Sequence, residues 1–163
     1  MLASGLRMTT KILQSTFTTL YEQDYYLWIE TTLKQLQNQD RENLDWQHLA
    51  EEIEALGIEQ RRKLESYLKQ LLIHLLIYRY WQTEKEFCER GWKNEICNFR
   101  DELEFSCRSK TLYNYLLGCI DAVYFKARKQ AIQKTGLSSD IFPEQCPFTV
   151  ENILNSDYFP DEN

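Results

Sequence analysis

No proline interrupts the first 142 residues, and through most of that stretch apolar side chains return every three or four positions. Proline inside a helix deletes a hydrogen bond and clashes with the preceding turn, at a cost of about 3 kcal/mol. A chain that avoids proline for so long, and holds only five glycines, lacks the spread of turn residues that a β-sandwich or barrel requires. The pattern predicts an all-α protein: an antiparallel helical bundle of about five helices, with an irregular C-terminal strap and a short last helix. Residues 20–160 read as a single helical domain, and residues 1–19 as a polar, flexible leader.

From about Glu22 to Asn38, the side chains Tyr25, Trp28, Ile29, Leu33 and Leu36 fall on one apolar stripe. Asn38 to Asn43 reads as a loop, and Asp45 as an N-cap whose carboxylate accepts from the free amides of the next turn. Leu49, Ile53 and Leu56 mark a second helix, where Gly57 either ends the helix or bends a longer one. A third segment, from Ile58 to about Trp81, is apolar nearly all round between Leu71 and Tyr80, as in a helix central to a bundle. Thr83 to Gly91 is polar and reads as a loop. A fourth helix is expected over about Trp92 to Cys107, with Ile96, Phe99, Leu103 and Cys107 facing inward. A fifth runs from Lys110 to Thr135, with Ser109 as N-cap and Gly136 as the stop. Leu112, Leu116, Cys119, Ile120, Val123, Ala127 and Ala131 form its inward stripe. Residues 138–148 form the strap, and Thr149 caps a last helix from Val150 to Asn155.

Four Trp, ten Tyr and eight Phe give this chain enough apolar area for a core without staples. Net charge is -6, which favours solubility and argues against non-specific nucleic-acid binding, a process driven by excess Lys and Arg. The one basic cluster, Arg61, Arg62 and Lys63, is flanked by Glu59 and Glu65. The five cysteines are odd in number and show no two-residue spacing, so a reducing, cytoplasmic setting is expected rather than a disulfide framework or zinc knuckle. No apolar stretch is long enough to span a bilayer.

The run Asp45 to Gly57, DWQHLAEEIEALG, resembles the family called domain of unknown function 29, found largely in cyanobacteria. The likeness begins at Tyr21-Glu22-Gln23-Asp24-Tyr25-Tyr26 and Trp28. It continues through Glu59-Gln60-Arg61-Arg62, Leu71 to Leu76, Trp92, Arg100 and Ala127-Arg128. It closes with Thr135-Gly136-Leu137, Phe142-Pro143 and Cys146-Pro147-Phe148-Thr149. The resemblance implies a helical fold and supplies no activity, substrate or catalytic residue. In that family an Asn is usual where His48 stands.

Several residues nonetheless have the chemistry of a site. His48, Glu51 and Glu52 lie at i, i+3 and i+4 and share a helix face, a weak metal-ligand pattern. Di-iron bundles carry Glu-x-x-His on two helices with further carboxylates; here there is one partial set in reversed order, so neither metal nor cofactor is expected. Glu51, Glu54, Arg61, His74 and Arg100 could form a polar cluster between helices, and such a cluster must satisfy every member. Arg41 and His48 have the loose spacing of an Arg/His pair in helical ribonucleases. Tyr78-Arg79-Tyr80-Trp81 combines the residue types of interface hot spots and equally those of a core edge. No phosphate loop, nucleophile elbow or Cys/His dyad is present, and no residue is assigned as catalytic. Two functions follow as expectations. The first is a non-enzymatic interaction or regulatory module with a protein partner or a homodimer mate. The alternative is a nuclease-like hydrolase using His48 or His74 with Glu51, Glu52 and Arg61. An exposed apolar patch would mark the first, and a convergent polar pocket the second.

Overall fold

The computed structural model describes residues 20–160, so the expected leader at 1–19 lies outside the described residues. Every regular element among them is helical. Contacts cluster into two compact units that divide between Ile58 and Glu59.

In the N-terminal unit, α1 spans Tyr25–Gln37 and starts where the Asp24 carboxylate accepts from the Leu27 amide at 3.0 Å. It ends at Asn38, after which Gln39 takes a left-handed φ of 58° to turn the chain. The loop is tied down by side-chain hydrogen bonds, one of them from Trp46 Nε1 to the Arg41 carbonyl at 3.1 Å. Gln35 Nε2 donates to the Asn43 carbonyl at 3.1 Å, and Asn43 Nδ2 donates to the Asp40 carboxylate at 2.9 and 3.0 Å. Asp45 then caps the next helix as expected, accepting from the His48 amide at 3.3 Å.

That helix, α2, is continuous over Trp46–Tyr80. The expected second and third helices are therefore one element, and Gly57 lies inside it. A Cβ at Gly57 would meet nothing within 4 Å, so no close approach requires glycine there. The part beyond Ile58 enters the C-terminal unit and buries Leu64, Leu68 and every residue from Leu71 to Tyr78. The all-round apolar run is thus the centre of the core.

The expected loop at Thr83–Gly91 is instead helix. The third helix, α3, spans Gln82–Cys107, directly after a break at Trp81. Glu84, Lys85, Glu86, Glu89 and Arg90 are good helix formers, and polarity there marks a solvated face rather than a turn. The first turns are anchored by Tyr78, whose hydroxyl donates to Glu89 at 2.9 Å, and by Trp92 stacked on Trp81 with centroids 5.8 Å apart. Ile96 and Leu103 are buried as expected, while Phe99 and Cys107 are only half-buried.

The fourth helix, α4, spans Lys110–Thr135, with the Ser109 hydroxyl accepting from the Leu112 amide and Gly136 stopping it at a φ of 68°. Leu116, Ile120, Val123, Tyr124, Ala127 and Ala131 face the core; Leu112 and Cys119 are half-buried. A 3-10 turn at Ser139–Ile141 opens the strap. The strap is held to α4 by the Tyr124 hydroxyl donating to the Pro143 carbonyl at 2.6 Å and by Arg128 donating to the Phe142 and Ser139 carbonyls. The last helix, α5, spans Val150–Leu154 behind its Thr149 cap, and α3 packs against both α4 and α5.

Candidate interaction groove of the N-terminal hairpin

Each expected site residue has a definite place. Glu51 is exposed and accepts from Gln47 at 3.2 Å, and Glu54 is exposed. Arg61 is exposed, its guanidinium 5.1 Å from the Tyr115 ring centre. His74 is buried, with Nδ1 2.7 Å from the Gln70 carbonyl and its ring beside Phe99. Burial holds its pKa below the ordinary value, because desolvation disfavours the imidazolium. Arg100 is buried and donates to the carbonyls of Ile153 at 2.9 Å, Asn152 at 3.0 Å and Ser156 at 3.5 Å. It therefore closes the open C-terminal end of α5, the role that bare helix carbonyls ask of a cation. Arg61, His74 and Arg100 are each engaged with different partners rather than with one another. The Tyr78–Trp81 segment is a core edge: Tyr78 is buried and Arg79 lies 5.4 Å from the Tyr80 ring centre.

The weak metal candidates are likewise engaged elsewhere. His48 Nδ1 is 2.6 Å from Asp45 Oδ2, and its ring stacks on Tyr21 at 4.0 Å. Among the described residues no three His, Cys, Asp or Glu side chains are grouped to hold a metal ion. All five cysteines are free thiols.

The hairpin of α1 and the start of α2 shows a different kind of feature. Its own buried side chains are only Trp28, Thr32, Leu44 and His48. The rest of the apolar stripe lines an open groove of about 340 Å³, formed by Tyr25, Ile29, Leu33 and Leu36 from α1 and by Leu49, Ile53 and Leu56 from α2. Leu33 is 52% exposed, Leu36 44%, Ile53 61% and Leu56 59%. The expected stripe exists, but most of it faces solvent.

At one edge of the groove, Glu52 accepts from the Tyr21 hydroxyl at 2.6 Å and from the Tyr25 hydroxyl at 2.7 Å. The two hydroxyl donors hold its carboxyl below the usual carboxylate range, since hydrogen bonds to the charged form favour ionisation. The same carboxylate pushes Tyr21 up to about 12. Trp28 also lines the groove, and its buried Nε1 has no acceptor among the described residues. Sequence reasoning did not find the Tyr–Glu–Tyr arrangement. The i, i+4 spacing of Tyr21 and Tyr25 was visible, but their shared acceptor comes from another helix.

Such an architecture defines a class of small all-α helical proteins. The chain belongs to the family described as Domain of unknown function DUF29, whose sequence profile matches residues 20–159. No curated protein and no solved structure matches it. Among the described residues, no helix is long and apolar enough to cross a membrane.

Proposed function

We propose that this protein is a non-enzymatic interaction module whose docking surface is the groove of the N-terminal hairpin. The observation that supports the reading is the row Leu33, Leu36, Ile53 and Leu56, all exposed and all lining one groove. Single exposed apolar residues are ordinary, but a contiguous apolar groove is the mark of a binding surface. Covering those four side chains would remove apolar area from water, which favours association at roughly 25 cal/mol per Å² before ordering costs. The hydrolase alternative asks instead for His48 or His74, with Glu51, Glu52 and Arg61, to aim at one substrate. His48 lies against Asp45 and Tyr21, Glu52 accepts from two tyrosine hydroxyls, and His74 sits among core side chains.

The reading is tested with the uncharged double substitution Leu33→Ser/Ile53→Ser. Both positions are exposed, so the variant should keep its helical circular dichroism. The native chain should bind a hydrophobic fluorescent dye at neutral pH, and the variant should lose most of that signal. Equal dye binding by both proteins would count against the groove.

A further inference from the structure

We infer that the occupant of this groove is an amphipathic helix with a basic polar face, supplied by a partner protein. The inference rests on the reading of the groove as a docking surface and adds the chemistry of what docks.

Geometry selects a helix. The groove is lined by two helices, and α1 has 13 residues, so it offers a trough of roughly 20 Å at the usual rise per residue. An extended strand would find no sheet edge to pair with, since every regular element among the described residues is helical. A helix instead satisfies its own backbone and presents apolar side chains at i, i+3 or i+4 and i+7, which is how helices fill such grooves.

Charge selects the sign. Between Leu20 and Ile58 the chain has nine Asp or Glu against two Lys or Arg, a net charge of -7 with His48 counted neutral, and Arg7 and Lys11 bring the whole unit from Met1 to -5. The remaining residues from Glu59 onward are nearly balanced, with 16 acidic against 15 basic. The excess is thus concentrated on the unit that carries the groove. Glu52 brings one of these charges to the apolar lining itself, and among the described residues its partners are two neutral hydroxyls rather than a cation. A Lys or Arg on an incoming helix would meet that carboxylate while its apolar face fills the groove.

The same charge disfavours the other occupants. A second copy would bring another hairpin of net charge -7 against the first, and like charges juxtaposed across an interface are costly. Nucleic acid and anionic lipid surfaces carry the wrong sign for this unit as well.

The test uses the full chain and two synthetic helical peptides that share one leucine face. One carries Lys on its polar face and the other Glu. The Lys peptide should bind about 10-fold tighter than the Glu peptide at low salt, with the gap narrowing as salt is raised. Glu52→Gln should weaken the Lys peptide by roughly 2–5-fold and leave the Glu peptide unweakened. Leu33→Ser/Ile53→Ser, which changes no charge, should abolish specific binding of both.

Equal binding of the two peptides would overturn the basic-helix inference and leave the groove standing. Self-association lost in Leu33→Ser/Ile53→Ser, with neither peptide bound, would also overturn it, because the occupant would then be a second copy. Undiminished Lys-peptide binding by that double variant would reveal mere charge attraction and remove the groove reading itself.

Discussion

The same three-to-four-residue rhythm runs through the hairpin at 20–58 and the body beyond Glu59, yet it has opposite consequences in the two. In the body, Leu64, Leu68, Leu71, Leu72, Leu75 and Leu76 are fully buried. In the hairpin, Leu33, Leu36, Ile53 and Leu56 carry the same spacing and stay exposed. Helical periodicity states which side chains share a face. Whether anything covers that face depends on other elements, and that information is absent from the stripe itself. The body has thus spent its apolar area on stability, and the hairpin keeps much of its own exposed.

The contrast breaks most visibly in stability measurements. Leu72→Ala should cost about 2–5 kcal/mol in denaturant unfolding, the usual range for a buried large-to-small change. Leu33→Ala, equal in chemistry, should cost less than about 0.5 kcal/mol, as for a surface substitution. Comparable losses would mean that the hairpin face is buried like the body.

Next in size is Arg100→Met. It keeps the apolar stem but strips charged donors from the carbonyls of Asn152 and Ile153, and should cost about 2–3 kcal/mol. Amide exchange should accelerate first in α5, at Val150–Leu154. An unchanged α5 would show that its end is closed by something else.

Gly57→Ala should have a smaller and opposite effect. Glycine in a helix interior is disfavoured relative to alanine, and no atom of the described residues lies where the new Cβ would go. A stabilisation of up to about 1 kcal/mol is expected by thermal unfolding. A loss would show that α2 does not run unbroken through this position.

The smallest effect separates the regions by pH. His74 in the body has its pKa lowered from 6.5, first by burial and further by Lys134, while the Gln70 carbonyl and Glu95 act the other way. Because the unfolded chain then binds more protons, stability should fall as pH drops below about 6.5. Glu52 in the hairpin is also shifted down, so its contribution is present above the ordinary carboxylate range and lost only in more acid solution. Melting temperatures followed downward from neutral pH should show the His74 phase first. His74→Gln should remove that phase and leave the acid one.

Legibility followed the range of the interactions. Helix α4 was readable to its ends because both signals are local: a hydroxyl at Ser109 for the first turn and a left-handed glycine at Gly136. The polar run Thr83–Gly91 was misjudged because residues suited to a solvated helix look like loop residues when no core contact is visible. Its anchors, Tyr78 to Glu89 and Trp81 to Trp92, join separate helices. The role of Arg100 was hidden for the same reason, since its acceptors lie more than fifty positions away. Of the expected polar cluster, Arg61, His74 and Arg100 each have partners of their own. The groove was half visible: its apolar residues were all on the expected stripes, while their exposure and the place of Glu52 beside them were new.

Hydrogen exchange of the full chain, with and without the Lys-faced leucine peptide, tests the docking surface most directly. The expected result is new protection confined to Tyr25–Gln37 and the first turns of α2 up to Ile58, with the Leu64–Tyr78 stretch unchanged. Protection confined to α3, α4 or the strap would place the binding surface elsewhere and contradict the assignment of the hairpin groove.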